Sequence, residues 1–363
     1  MLSPSLESLR WLAVASLAVV LAIWCAVLVL HAVLRRRQST RDASANAIAL
    51  EFASLLMGRT APDSLLGRLD GSTPEVMWDA LERFSDNISG EEWTAVSDAI
   101  NGHPFVLAER SRIQRGSTSR RALAARRIGM VNAAAHRGLL HEAMVAGPLV
   151  VRLSSVLSLA RAHDVGALRW LMRKPDALDP LGKHLGVAIL KRFGPRHRSL
   201  LRRSIECDRA DHALEVAAIE VLGIWKDTRS RVILEGLLTR GALDARVSSA
   251  RALGRIGSRE SLRVLQAAAS DEAWQVRAQV ARALGGLRSP EAVPTLALLV
   301  RDTAWWVRRN AAYALVNHGE PGRAALYRIA ELGHDAFARE MAIEVMQADL
   351  WDRHSPGGLE RVG

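Results

Sequence analysis

Apolar residues recur along the second half of the chain with the spacing of an amphipathic helix. In residues 274–287 they fall at i, i+4, i+5 and i+8, and they are Val276, Val280, Ala281 and Leu284. Such a stripe predicts a helix that buries one face. A shorter helical segment is predicted before it over residues 260–269, and Asp271 marks the turn. Helix, turn and helix therefore form one unit of the pattern.

This unit returns about every 31 residues, with a basic residue at the same place in most copies. These residues are Arg121, Arg152 and Lys183 in one series and Arg246, Arg277, Arg308 and Arg339 in a second. A slip of one residue separates the series near Glu215, which is the acidic member. Small residues recur too, and they let helices of neighbouring units pack closely; they include Ala252, Ala283 and Ala314.

The length of this period decides the fold class. Self-similarity at a period of roughly 20 to 50 residues is the signature of a solenoid or array. We predict an all-α fold in which an α-solenoid of about eight two-helix repeats occupies residues 116–350. Residues 351–363 are expected to form a flexible tail.

An apolar segment near the N-terminus predicts a membrane anchor. Residues 11–34 contain no Asp, Glu, Lys or Arg, and a helix of this length, roughly 36 Å, can cross a hydrocarbon core of about 30 Å. Trp11 suits the headgroup layer, and a basic cluster follows the segment. The cluster is Arg35, Arg36 and Arg37. The positive-inside rule predicts a single-pass protein of the cytoplasmic (inner) membrane, with residues 1–10 outside and the repeats in the cytoplasm.

A cleaved signal peptide is the alternative interpretation of this segment. Its apolar core would be shorter, its basic cluster would come first, and a small-residue cleavage site would follow. Here the basic cluster comes last and no such site is apparent in the sequence. The order of these features favours an uncleaved anchor.

The region between the anchor and the repeats lacks the 31-residue register. Residues 35–60 are predicted to form a basic juxtamembrane segment and an amphipathic helix. Residues 61–115 are predicted to form an irregular helical cap, because terminal repeats of a solenoid are usually atypical. Ser89 and Glu92 have the spacing of a capping box at the start of one of its helices.

The net charge of +11 favours acidic partners, which include anionic lipid, nucleic acid and an acidic protein surface. Solvated, arginine-rich helix faces would explain the same charge. The two cysteines, Cys25 and Cys207, are too few for a disulfide framework or a cysteine metal site. A reducing compartment fits this cysteine content.

Two motifs of the repeat resemble a known family. D-x-x-W-x-V-R stands at 271–277 and again at 302–308, and A-x-A-L-G stands at 281–285. These motifs resemble the HEAT repeat family, in particular the short bacterial HEAT-like form that is also found in the phycobilisome-lyase group. The resemblance extends over about residues 116–350 and is strongest after Ala242.

The resemblance implies a structural role for the periodic arginines. In the family, the turn aspartate and an arginine six residues later build a ladder of hydrogen-bonded ion pairs between units. Arg209 and Glu215 have the same spacing with the charges exchanged, which would preserve the attraction. The predicted members of the ladder are Asp271, Arg277, Asp302, Arg308, Arg246, Arg339, Arg209 and Glu215.

The resemblance also implies a concave side lined by the second helices. Positions three and six after the core valine, or its equivalent, should face outward there, and we predict a partner-binding surface on them. Its residues are Ser248, Arg251, Arg255, Gln279, Arg282, Asn310 and Tyr313, with Trp305 and Trp306 at the edge. A solvated helix face has a similar composition, and the tryptophans could instead cap the junction of turn and helix.

The sequence contains no evident catalytic constellation. It has no Gly-rich phosphate loop and no nucleophile elbow, and His141-Glu142 is its only His-Glu pair. HEAT-like deoxyhypusine hydroxylases repeat such pairs to hold two irons. We predict no enzymatic activity, no cofactor and no metal. The predicted function is a membrane-anchored cytoplasmic scaffold for an unknown protein partner. The alternative is binding of nucleic acid or anionic lipid, and a HEAT-like lyase or metal-dependent enzyme ranks third.

Overall fold

The regular structure in the described part of the chain is entirely helical, which confirms the all-α prediction. The structure is a computed structural model, and it describes the backbone of residues 6–85, 91–174, 182–206 and 213–354. Within that backbone it describes most side chains from residue 24 onward. The chain divides into two compact units, residues 1–139 and 140–363. The predicted boundaries at residues 60 and 115 fall inside the first unit.

The first unit is built on one long helix. Its helices are α1 (Leu6–Leu56), α2 (Pro62–Asp70), α3 (Pro74–Ser85), α4 (Glu91–Ile100), α5 (Pro104–Arg115) and α6 (Thr118–Asn132). Ile48 and Phe52 near the end of α1 are buried, as is Trp78 of α3. The amphipathic helix predicted within residues 35–60 is therefore the last part of α1, continuous with the segment predicted as the anchor.

Within the described residues, no helix combines the length and the apolar character needed to cross a membrane. The side chains of residues 6–23, which include Trp11, and the side chain of Arg37 lie outside the described residues. The anchor therefore stays a prediction. Arg35 and Arg36 are exposed.

The second unit consists of helices that alternate between two rows, and α7 (Arg137–Ala146) carries the chain into it. One row is α8 (Leu149–Arg161), α10 (Gly182–Phe193), α12 (Ala213–Ile224), α14 (Leu243–Ile256), α16 (Trp274–Leu287), α18 (Trp305–Val316) and α20 (Ala336–His354). The other is α9 (Val165–Arg173), α11 (Arg198–Ile205), α13 (Arg231–Arg240), α15 (Leu262–Ala267), α17 (Val293–Leu299) and α19 (Glu320–Leu332). Each helix of the first row packs on the next, in chain order.

The apolar stripe of the sequence is the core of this unit. The side chains of Val276, Val280 and Leu284 are fully buried, and so are their equivalents in α18. Neighbouring helices of the row approach closely where a glycine meets an alanine. A Cβ atom added at Gly254 would lie 2.8 Å from the Cα atom of Ala283. Glycine is therefore required at this crossing, as overlap of this size forces the backbone to shift.

Candidate functional site

Arginine–aspartate ion pairs connect successive repeats of the second unit. Nε of Arg246 lies 3.0 Å from Oδ2 of Asp271. Arg277 donates two hydrogen bonds to Asp302, from Nε to Oδ2 at 2.6 Å and from Nη2 to Oδ1 at 2.9 Å. All four side chains are largely shielded from solvent. Each arginine therefore pairs with the aspartate of the following repeat, 25 residues further along the chain.

The six-residue spacing has a different meaning from the one predicted. Nη1 of Arg277 donates to the backbone oxygen of Asp271 at 2.8 Å, and not to its carboxylate. Nη1 of Arg308 donates in the same way to the backbone oxygen of Asp302 at 2.9 Å. Each aspartate carboxylate instead accepts from the backbone two residues later, as Asp302 does from Ala304 at 2.8 Å. The arginine thus holds its own turn while the carboxylate faces the preceding repeat.

The ladder changes character at its ends. Arg308 stacks over the ring of Phe337 in the following repeat, at 5.3 Å from the ring centroid. Gly333 lies 25 residues after Arg308, where Asp302 lies 25 residues after Arg277. Arg339 is exposed, and no carboxylate among the described residues pairs with it. Arg209 lies outside the described residues, so the pair with exchanged charges, Arg209 and Glu215, stays a prediction.

The pKa of Asp302 lies below its ordinary value of 3.8. Burial alone would raise this pKa, but hydrogen bonds from Arg277 and Ala304 and the charges of Arg277 and Arg308 outweigh it. A lowered folded-state pKa means that the carboxylate stabilises the fold above its unfolded pKa. This stabilisation is lost as the pH falls from about 4 through the folded pKa.

We therefore expect the midpoint of thermal unfolding to decrease as the pH falls below about 4, and to decrease less in Asp302→Asn than in the unaltered protein. The asparagine cannot ionise, so its contribution does not change with pH. Circular dichroism melts over the acidic range measure both slopes. Equal slopes would show that Asp302 does not contribute to the acid sensitivity.

A groove of about 770 Å³ opens between α14, α16 and α18. Residues of α16 and α18 line it at intervals of three and four, so each helix presents one face to the groove. The polar and aromatic lining residues are Arg251, Trp274, Gln275, Gln279, Arg282, Trp306, Arg309, Asn310, Tyr313 and Asn317. Val247, Ala278, Gly286 and Ala314 complete the lining. It contains no acidic residue among those described.

The three arginines of the groove have different surroundings. Nη1 of Arg251 lies 2.5 Å from Oε1 of Glu220, so its charge is already paired. Arg309 stacks over the rings of Tyr313 and Trp305, at 4.8 and 5.7 Å from their centroids. Arg282 is exposed and has no ion pair or hydrogen bond within the described residues. Positive charge in the groove is therefore available to a ligand.

The structure brings six of the predicted binding residues to this groove. They are Arg251, Gln279, Arg282, Asn310, Tyr313 and Trp306. Arg255 lines a smaller adjoining pocket of about 360 Å³. Trp305 lies beside the groove, with its ring edge-on to Trp306 at 4.7 Å between centroids.

The outward position predicted for Ser248 is wrong. Its side chain is fully buried between α14 and α12, 3.4 Å from Oε1 of Glu220. The helix turns by about 100° per residue, so a position three after the core residue lies at the margin of the apolar stripe. A small side chain there is covered by the neighbouring helix. Sequence reasoning omitted Gln275 and Arg309 from the surface, although both share a helical face with residues that it did include.

His141, the histidine of the only His-Glu pair in the sequence, helps to fix the start of α9. Nε2 of His141 lies 2.8 Å from Oδ1 of Asp164, and the same oxygen accepts a hydrogen bond from the backbone of Ala167 at the start of α9. Across the described residues, no group of three or more His, Cys, Asp or Glu side chains is arranged to hold a metal ion.

Fold and groove define an all-helical repeat protein with one open groove described on the second unit. Comparison with protein families identifies the repeats. Residues 264–347 match the model for HEAT repeats, and residues 245–271 match the model for the PBS lyase HEAT-like repeat. This part of the chain, which includes the groove, therefore consists of HEAT-like repeats.

Comparisons with whole proteins add little. No curated protein is similar enough in sequence to count as a relative. Among solved structures, human deoxyhypusine hydroxylase in complex with glycerol is similar, with 16% identity over 83% of this chain and 96% of that chain. The TM-score of this match is 0.29. A likeness at this level supports no argument about activity.

Proposed function

We propose that this protein is a scaffold that binds a protein partner in the groove of α14, α16 and α18. The observation that carries the proposal is the composition of that groove, in which arginine, amide and aromatic side chains share one open face. Aromatic residues and arginine are the types enriched at the centres of protein interfaces. HEAT-like repeats are suited to this role, since stacked repeats create extended binding surfaces.

We further propose that residues 11–34 anchor the scaffold in the cytoplasmic membrane, with the repeats in the cytoplasm. The described part of this segment supports the proposal, because its large apolar side chains are exposed. They are Trp24, Val27, Leu28, Val29, Leu30, Val33 and Leu34. Consecutive exposed positions surround the helix, so packing of one face against the first unit cannot cover them all. A lipid environment would cover all of these side chains.

Two arginine substitutions test the anchor. We expect Trp24→Arg combined with Val27→Arg to move the full-length protein from the membrane fraction to the soluble fraction. Trp24 lies next to the middle of the predicted span, 11–34, where a charge costs about 2.5 to 3.5 kcal/mol on insertion, and Val27 lies about one helical turn further on. Leu50→Arg is the matched control, because Leu50 is also exposed on α1 but lies beyond the predicted span. If the double variant stays in the membrane fraction after a high-salt wash, the anchor is not in this segment.

Photo-crosslinking in cells tests the scaffold. A photoreactive residue in place of Asn317, in the groove, should give discrete protein adducts in the full-length protein. The same residue in place of Arg263, which is exposed on α15 outside the groove, is the matched control. Adducts shared equally by both positions, or absent from both, would show that the groove is not the binding face.

Binding of nucleic acid or anionic lipid is less well supported by this site. Tight binding to a phosphate backbone usually needs many basic contacts, on the order of 6 to 10. Only three arginines line the groove, and Glu220 already pairs with one of them.

A further inference from the structure

The groove carries positive charge that the protein does not neutralise. Arg282 has no ionic partner within the described residues, and Arg309 contacts aromatic rings only. Elsewhere in the second unit, Arg246 and Arg277 of the ladder are each matched to a carboxylate. Both Arg282 and Arg309 face a pocket whose described lining contains no Asp or Glu. A ligand with negative charge would neutralise the charges of Arg282 and Arg309.

The apolar part of the groove lies beside that charge. Trp274 at the start of α16 and Trp306 near the start of α18 line the groove, and both rings are about half exposed. Contact with an apolar or aromatic side chain of a ligand would bury these exposed rings and thereby stabilise the complex. The site therefore combines a charged half with an aromatic half.

We propose that the groove binds an acidic, extended peptide segment of the partner protein. Carboxylates of the segment pair with Arg282 and Arg309, and one apolar or aromatic side chain packs against Trp274 and Trp306. This inference rests on the proposed scaffold function and specifies its partner by chemistry.

The amide side chains favour an extended peptide over a helix. Gln275, Gln279, Asn310 and Asn317 line the groove, and each amide has both donors and an acceptor. Within the protein, Oε1 of Gln279 accepts from Nε of Arg251 at 3.4 Å and Nδ2 of Asn310 donates one hydrogen bond, and the other donors and acceptors face the groove. An extended peptide offers unpaired N–H and C=O groups that match both functions. A helix satisfies most of its backbone groups internally and would offer few backbone groups to these amides.

The same amides argue against a phosphate backbone, which only accepts hydrogen bonds. Nδ2 of Asn310 already donates one of its two N–H groups to the backbone oxygen of Ala278 at 3.0 Å, so its oxygen and one N–H group are left for a ligand. That oxygen needs a donor, which a peptide N–H supplies and a phosphate does not. The peptide therefore explains more of the groove than an oligonucleotide.

Fluorescence anisotropy with defined peptides tests the inference on the full-length protein in detergent micelles. The probe is a synthetic peptide of alternating Glu and Ser around one Trp, and its control has Gln in place of every Glu. We expect the acidic peptide to bind about tenfold tighter or more, as expected for hydrogen bonds to charged groups. Arg282→Glu should remove most of this difference, and Arg263→Glu should leave it unchanged.

The variants should fold normally, because Arg282 and Arg263 are exposed and neither makes a hydrogen bond or an ion pair within the described residues. Arg309→Gln provides a second test, since it removes one charge and keeps a polar side chain. We expect this substitution to weaken binding of the acidic peptide and to leave the affinity for the glutamine peptide unchanged.

The outcomes separate this inference from the scaffold function. If the two peptides bind with equal affinity and substitutions in the groove weaken the binding of both, the acidic specificity is wrong and the scaffold proposal still holds. If an oligothymidylate or anionic vesicles bind more tightly than the acidic peptide, and if this binding depends on Arg282, the proposal of a peptide ligand is wrong. If neither peptide binds while crosslinking from Asn317 persists, the partner binds the groove with different chemistry. If crosslinking also fails, the scaffold proposal itself is wrong.

Discussion

Replacement of Arg277 with methionine is expected to lower the free energy of unfolding of the second unit by about 3 kcal/mol. Arg277 donates two hydrogen bonds to the shielded carboxylate of Asp302 and two to the backbone oxygens of Asp271 and Glu272. Methionine keeps much of the volume but leaves that carboxylate without its counter-charge. An unpaired, largely buried charge is costlier than the loss of the pair as a whole.

Two further variants isolate the ion pair. Arg308→Met removes the equivalent bonds to the backbone but strands no carboxylate within the described residues, so we expect a loss of about 1 kcal/mol. Addition of Asp302→Asn to Arg277→Met should restore part of the stability, because asparagine is uncharged and can still accept from Ala304. Thermal melts and hydrogen exchange of α16 and α18 measure these differences. A double variant less stable than Arg277→Met would contradict the explanation.

Two adjacent glycines of α16 are expected to respond in opposite directions to substitution. A Cβ atom at Gly285 would lie 2.7 Å from Cβ and 3.0 Å from Cα of Ala314. Gly285→Val should therefore destabilise the unit by about 3 kcal/mol through overpacking. A Cβ atom at Gly286 meets its nearest neighbour, the backbone oxygen of Gly254, at 3.5 Å, which is ordinary contact. Gly286→Ala should stabilise by about 0.5 to 1 kcal/mol, because alanine favours the helix.

A reciprocal exchange tests whether the crossing itself explains the effect. Gly285→Ala alone should destabilise, and addition of Ala314→Gly should recover most of the loss, since the pair then meets with its sizes exchanged. The coupling energy of this cycle is the measured quantity. Additive effects of the two substitutions would show that the contact between α16 and α18 does not limit the side chain at residue 285.

The sequence predicted the second helices better than the first. The stripe of α16 is unusually regular, and the helix spans 274–287 as predicted. Its partner was expected over 260–269, but α15 covers only Leu262–Ala267 and is flanked by short 3-10 turns. Buried Ser261 in the first turn donates to Oε1 of Glu235 at 2.8 Å, a contact with the preceding repeat. Periodicity along one segment does not show such a contact.

The ladder shows the same limitation. A spacing of six residues within one repeat suggested that Asp271 and Arg277 pair with each other. In the structure Asp271 pairs with Arg246 of the preceding repeat. The choice between the two arginines depends on how repeats stack, which a spacing along the chain does not specify. For the groove, spacing located most of the residues but did not reveal that the arginines differ in their partners.

The pairing of each arginine with the next repeat has a consequence for how the length of this protein can change. Insertion of one or two residues between Arg277 and Asp302 would move the carboxylate off its arginine and shift every later side chain around its helix. Duplication of one whole 31-residue unit would instead give each new aspartate an arginine at the same separation. Growth in whole repeats thus preserves the pairs of the ladder, whereas an insertion of one or two residues between Arg277 and Asp302 would break that pair.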